Sequence, residues 1–123
     1  MQNDKSKFKE NFIKRLIKFS IKVLKLSEKA RKKRVLCSLI DQLIRSATSI
    51  GANVTEAKAS SSKKDYIRFF EIALKSANET IYWLIIFRNI APEFKNELDL
   101  LYKDANEIAK IIASSILTLK KRK

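Results

Sequence analysis

The chain contains one glycine and one proline in 123 residues, and this scarcity restricts its fold more than any other feature. A β-sandwich or barrel needs a turn rich in Gly, Pro or Asn about every 8–12 residues. Hydrophobic residues make up 46% of the chain, enough to offset the entropy of ordering a core. The sequence therefore predicts an all-α protein that folds as a single domain over residues 1–123.

The residue types on which most active sites depend are almost missing. The chain has no histidine and one cysteine, Cys37. This composition excludes Ser-His-Asp and Cys-His nucleophiles, Cys/His zinc sites, His-containing di-iron motifs and an intrachain disulfide. We therefore expect no enzymatic activity, no catalytic residue, no metal and no cofactor.

Hydrophobic periodicity predicts four helices, over about residues 7–28, 35–59, 63–89 and 93–119, in an antiparallel up-down four-helix bundle. Four adjacent cations repel one another on a packed face, so residues 31–34 are expected to form the first connection. Ser62 is expected to cap the third helix, with Asp65 completing a reciprocal bond. Pro92 is expected in the first turn of the fourth helix, and residues 120–123 form a basic tail.

The formal net charge of +14 is concentrated at the two ends of the sequence. Residues 1–34 hold 13 Lys and Arg against three acids, residues 35–119 hold ten of each sign, and residues 120–123 are all basic. Segregated positive charge attracts polyanions, although it also serves solubility. The candidate nucleic-acid contacts are Lys14, Lys18, Lys22, Lys25, Lys29, Arg31, Lys32, Lys33, Arg34, Lys120, Lys121, Arg122 and Lys123.

Two helices carry more apolar surface than one bundle needs. The first helix is apolar around most of its circumference outside its lysine stripe, and residues 81–87 of the third are apolar on every side. We therefore expect assembly with further copies of the chain. Seven residues are too few to cross a membrane, and the charged start of the chain lacks an apolar export segment, so we expect a cytoplasmic protein without a membrane partner.

Polar side chains recur at steps of three and four along the second helix. Their row comprises Gln42, Ser46, Ser49, Asn53 and Glu56, and Ser76 and Glu79 have matching spacing on the third helix. Paired carboxylates could act as acid and base, but neither a nucleophile nor an oxyanion donor set accompanies them. We favour a buried structural network that fixes helix register or a subunit interface, formed by Gln42, Arg45, Ser49, Asn53, Glu56, Ser76 and Glu79.

These positions carry a resemblance to a known family. Residues 42–57 and 66–79 resemble the signature of bacterial four-helix-bundle proteins encoded in large-subunit (23S) rRNA intervening sequences, roughly QxxRxxxSIxxNIAEG followed by FxxFLxIAxGSxxE in one-letter code. Thr55, Ala57 and Lys75 depart from it, because the family has Ala, Gly and Gly there. The matching residues are Gln42, Arg45, Ser49, Ile50, Asn53, Glu56, Phe69, Ile72, Ala73, Ser76 and Glu79.

The resemblance implies an antiparallel bundle with no established catalytic activity that assembles into a ring, typically of five subunits. It leaves three functions open. The chain could bind RNA or DNA through phosphates. It could be an accessory protein of a diversity-generating retroelement, binding its reverse transcriptase and template RNA or cDNA. It could also be a purely structural or protein-interaction bundle with a solubilising basic surface.

Overall fold

The computed structural model of the chain describes residues 4–122, and this part is helical without a strand. Its helices are α1 (Asp4–Lys32), α2 (Cys37–Ala59), α3 (Lys63–Ile90) and α4 (Lys95–Lys121). A short 3-10 turn, Pro92–Phe94, leads into α4. The predicted all-α class is confirmed.

Neighbouring helices run in opposite directions. Arg15 of α1 is hydrogen-bonded to Asp104 of α4. Lys29 comes later in α1, yet it is bonded to Glu97, which comes earlier in α4, so these two helices are antiparallel. Ser49 of α2 pairs with Ser76 of α3. Ser46, which comes earlier in α2, pairs with Thr80, which comes later in α3, so these helices are also antiparallel. The backbones of α1 and α3 do not approach each other, and the two helices lie diagonally across the arrangement. The short connections and these pairings give the up-down path of a four-helix bundle.

Apolar stripes at helical spacing explain this packing. On α2, apolar residues at steps of three and four form a buried stripe of Leu39, Leu43, Ala47, Ile50, Val54 and Ala57. The same spacing predicts Leu36 as its first member, and this is wrong, because Leu36 precedes α2 and is exposed. The corresponding stripes of α1 and α4 are equally buried, and all four helices share one core. Burial of such stripes removes apolar surface from water and is the dominant favourable term in folding.

Gly51 lies at a close contact between α1 and α2. A Cβ atom added to Gly51 would lie 3.3 Å from the Cβ of Leu16, tighter than an ordinary contact. Gly51 is within the helix and has no positive φ. The glycine therefore serves close packing rather than a turn.

The first connection starts later than the sequence predicts. Arg31 and Lys32 belong to α1, and only Lys33 and Arg34 of the basic cluster lie beyond it. The prediction that residues 31–34 form the connection is correct for Lys33 and Arg34 and wrong for Arg31 and Lys32. The helix continues through these two because successive side chains diverge by about 100° and all four cations face solvent. Val35 and Leu36 belong to the connection, since α2 starts at Cys37.

A Schellman motif ends α1. The N–H of Arg34 donates to the carbonyl of Arg31, and the N–H of Val35 donates to that of Ala30. Arg34 has a φ of 62°, a left-handed conformation that favours glycine. This geometry closes the helix after its basic last turn and presents the Arg34 side chain to solvent.

The other boundaries agree closely with prediction. Ser62 caps α3, because its Oγ accepts from the N–H of Asp65 at 3.1 Å. The predicted reciprocal bond is wrong, since the Asp65 carboxylate faces Arg68 at 3.8 Å instead. Pro92 opens the 3-10 turn rather than α4 itself. Lys120 and Lys121 continue α4, Arg122 is its C-cap, and Lys123 lies outside the described residues.

Candidate nucleic-acid interface

The up-down path divides the predicted cations between two ends of the bundle. We call the end that carries the start of α1, the 60–62 turn and the end of α4 the tail end. The opposite end, which carries residues 33–36 and the Pro92–Phe94 turn, is the loop end. The acids of the other helices determine how much positive charge each end retains.

The loop end is largely neutralised. Arg31 is bonded to Asp41 at 2.6 Å, and this hydrogen bond raises the pKa of the Arg31 guanidinium. The loop end has seven cations and five acids. The cations are residues 29, 31–34, 88 and 95, and the acids are residues 28, 41, 93, 97 and 99. The hydrogen bond from Lys95 lowers the pKa of Asp99, which also pairs with Arg88 at 2.7 Å. The cluster that dominates the sequence therefore produces only a small net positive charge.

The tail end keeps a larger excess. Among the described side chains it has nine cations, residues 7, 9, 58, 63, 64, 68 and 120–122, against four acids, residues 10, 56, 65 and 71. Lys120 pairs with Glu71 at 3.1 Å, whereas Lys58, Lys64 and Lys121 have no acidic partner among the described residues. Lys63 donates to the backbone carbonyl of Arg122, which joins the 60–62 turn to the end of α4.

The lysine stripe of α1 lines an open groove along α4. We call this space, about 620 Å³, the lysine groove. Lys18, Lys22, Lys25 and Lys29 form one wall, whereas Lys14 does not line it. The α4 wall carries three acids, Glu97, Asp104 and Glu107, and one cation, Lys103.

Part of the charge in the lysine groove is already compensated. Lys29 lies 3.4 Å from Glu97. Arg15 bridges Asp104 and Glu107, and the bond to Asp104 raises the pKa of the Arg15 guanidinium. Lys18, Lys22 and Lys25 have no acidic partner among the described residues. The stripe is therefore basic beside an acidic wall rather than a uniformly positive surface.

A second open space, of about 700 Å³, lies at the tail end, and we call it the end cavity. All four helices and the 60–62 turn contribute to its wall. Aromatic rings form its apolar part: Phe8 stacks on Phe12, and Tyr66 on Phe70, with centroids 6.2 and 4.9 Å apart. Burial raises the pKa of the Tyr66 hydroxyl, which favours its neutral form.

Cations surround these rings. Lys9 Nζ lies 4.8 Å from the centre of the Tyr66 ring, and Lys58, Lys63 and Arg122 also line the space. None of the described residues that line it is acidic. This cluster cannot be recognised in the sequence, because its members are far apart in the chain and periodicity marks Phe12 and Phe70 only as core positions.

The predicted polar network is only partly present. Ser49 Oγ lies 2.9 Å from Ser76 Oγ, and the Asn53 amide donates to Ser49 Oγ at 3.0 Å. The prediction of burial is wrong for the remaining members, whose side chains are exposed and have no hydrogen-bond partner among residues 4–122. They are Gln42, Arg45, Glu56 and Glu79. Long side chains at the edge of the α2–α3 contact extend into water, whereas short ones bond to the neighbouring helix.

A deeper hydroxyl pair lies beside this row. Thr80, which the sequence analysis missed, is fully buried, and its Oγ1 lies 3.0 Å from Ser46 Oγ and 2.8 Å from the Ser76 carbonyl. Ser46 Oγ also donates to the carbonyl of Leu43. These bonds satisfy the polar atoms that the α2–α3 contact removes from water.

Several apolar side chains of α1 and α3 remain exposed. Ile17, Ile21 and Leu24 form a stripe on α1, with exposed fractions of 52%, 45% and 44%. Tyr82 and Ile85 are exposed on α3, whereas Phe87 is in the core. The excess apolar surface predicted on both helices is therefore not fully buried within the chain.

The described residues provide neither a metal-binding cluster nor a membrane-spanning helix. Among the described residues, no group of three or more His, Cys, Asp or Glu side chains is placed to hold a metal ion. The described helices also include none that is long and apolar enough to cross a membrane.

Comparison with known proteins places these features in context. A family model described as 23S rRNA-intervening sequence protein matches residues 9–114. The chain is also similar to a crystal structure of a protein with unknown function from the S23 ribosomal protein family of Bacteroides thetaiotaomicron. The two are 31% identical, with a TM-score of 0.79 over 85% of this chain and 97% of that one. None of the curated proteins matches significantly.

The contrast between the buried hydroxyls and the exposed carboxylates is testable by urea denaturation. Thr80→Val should lower the free energy of unfolding by about 1 kcal/mol, since it removes a buried hydrogen-bonding group without changing side-chain size. Glu56→Gln and Glu79→Gln should each change it by less than about 0.5 kcal/mol. A larger loss from either Gln variant than from Thr80→Val would contradict the assignment.

Proposed function

We propose that this chain, which belongs to the 23S rRNA-intervening sequence protein family, is a non-enzymatic protein that binds RNA or DNA through phosphates, chiefly at its tail end. The observation that carries the proposal is the uneven compensation of charge between the ends of the bundle. The loop end has an acid for most of its cations, whereas the tail end has about two cations for each acid. Uncompensated cations at one surface are the electrostatic basis of phosphate binding.

The type of cation indicates how nucleic acid is contacted. Seven of the nine tail-end cations have exposed side chains with no carboxylate partner among the described residues. The exceptions are Lys120, paired with Glu71, and Arg68, which lies 3.8 Å from Asp65. Lysine predominates in the set. Lysine binds phosphate as a point charge, whereas bidentate base recognition favours arginine. We therefore expect little sequence preference.

The lysine groove supports a secondary role. Lys18, Lys22 and Lys25 continue positive charge from the tail end along α1, but Asp104 and Glu107 would repel a phosphate that enters deeply. We therefore expect the lysine groove to contact only the outer part of a bound strand. At the loop end, Arg31 is paired with Asp41 and Lys32 with Glu28. These two candidates are expected to contribute least to nucleic-acid binding.

We further propose that the chain assembles with copies of itself into a ring. Exposed apolar stripes usually mark interaction surfaces. Here they lie on α1 and α3, which are diagonal to each other, so pairing one with the other would create a heterologous contact that repeats around a closed ring. The family resemblance implies five copies, and a ring would give the tail ends avidity for one long polyanion.

The location of binding can be tested with two triple variants that remove equal charge. Lys58→Ser/Lys121→Ser/Arg122→Ser should weaken binding to all sequences and flatten the slope of log affinity against log salt. Each lost phosphate contact should reduce that slope by about 0.7–0.9. The control Lys29→Ser/Lys32→Ser/Lys33→Ser should have a smaller effect. Fluorescence anisotropy over a salt series measures both quantities.

Two outcomes would contradict the proposal. If the wild-type chain retains neither structured RNA nor single-stranded DNA at physiological salt and micromolar protein, nucleic acid is not its partner. If the two triple variants lose affinity equally, phosphate binding is not concentrated at the tail end.

Assembly is tested by light scattering coupled to size exclusion. The wild-type chain should elute as a single multimer, with a mass near five chains. Ile17→Ser/Ile21→Ser should shift it toward monomer, because it makes the α1 stripe polar. Leu100→Ser, which changes a more exposed leucine beside the lysine groove, should leave the mass unchanged. A monomeric wild-type chain at micromolar concentration would refute the assembly.

A further inference from the structure

The end cavity combines three properties that together specify a ligand. Its volume of about 700 Å³ is within the range of about 300–1,000 Å³ found for small-molecule sites. Its interior is aromatic, its border is cationic, and the described residues that line it include no carboxylate. An occupant should therefore have a flat apolar part and a negatively charged part.

The rings are arranged for contact with such a group. Phe8 is 55% exposed although it stacks on Phe12, so much of its surface is available to an incoming ring. Tyr66 is half-buried and already carries Lys9 on its face. Aromatic side chains beside cations bind unpaired bases, because every base can stack while its phosphate is held by charge.

The hydroxyl groups in the cavity favour the same occupant. Ser61, Ser114 and Thr118 line it and have no hydrogen-bond partner among the described residues. Base edges and ribose hydroxyls can satisfy such groups, whereas an acyl chain would leave them unpaired. Lys58, Lys63 and Arg122 at the border suit phosphates on either side of one nucleotide better than a single carboxylate.

We propose that the end cavity binds an unpaired nucleotide of an RNA or DNA strand, with its base stacked on Phe8 and Tyr66 and its phosphates on the surrounding cations. This inference rests on the proposed function and deepens it, since phosphate contacts alone do not separate single strands from duplexes. Bases inside a duplex are stacked on one another and cannot enter the cavity. The chain should therefore prefer single strands and loops.

The test compares two aromatic deletions that leave every cation in place. Phe8→Ala removes the exposed ring of the cavity, and Tyr102→Ala removes an exposed ring of α4 outside it. The probes are a single strand of about ten nucleotides carrying one 2-aminopurine and a duplex of equal length. Wild-type protein should quench the 2-aminopurine fluorescence, because stacking on an aromatic ring quenches this base.

Phe8→Ala should weaken single-strand binding by about 5- to 100-fold and abolish the quenching, leaving the duplex affinity and the salt slope unchanged. Tyr102→Ala should behave as wild type. If Phe8→Ala binds the single strand as well as wild type does, the inference is overturned and the proposed function stands. If wild type binds neither probe, the proposed function fails. If laurate, and not the single strand, binds in a Phe8-dependent way, the cavity holds an acyl chain and the inference is overturned.

Discussion

The four helices bury their apolar stripes in one shared core, and this packing determines where the surface groups lie. In each helix the buried apolar residues recur every three or four positions, and α2 contacts both α1 and α3. Gly51 permits the close approach to α1, and the Ser46–Thr80 pair satisfies the polar groups at the contact with α3. With short connections, this packing alternates helix direction and places the start of α1 and the end of α4 at the same end. The surface chemistry of the tail end follows from that topology.

The topology also determines which cations remain available. The 31–34 cluster is the most basic stretch in the interior of the sequence, yet folding places Asp41, Glu97 and Asp99 at the same end of the bundle. At the tail end, the cations of residues 58–64 join those of α4, and fewer acids accompany them. Surface ion pairs of this kind contribute about 0–1 kcal/mol to stability, so their main effect here is on the surface potential.

Much of the fold could be predicted from the sequence because periodicity reports burial directly. The stripe of α2 agrees with prediction from Leu39 to Ala57 although not at Leu36, and the Ser62 cap is also as predicted. The end of α1 could not be placed, because lysine and arginine side chains diverge into solvent and do not stop a helix. Glu56 follows the same spacing as Ser49 but is exposed, since side-chain length decides burial at the edge of a contact. The end cavity was not foreseen, because it depends on residues that only the tertiary fold brings together.

The proposed function requires nucleic acid to bind at the tail end and not at the basic cluster after α1. Lysine acetylation by a small reagent, read by mass spectrometry with and without a bound single strand, tests it most directly. A bound strand should protect Lys58, Lys64 and Lys121 and leave Lys32, Lys33 and Lys95 reactive. Protection of the second group with the first unchanged, or equal protection of both, would contradict it.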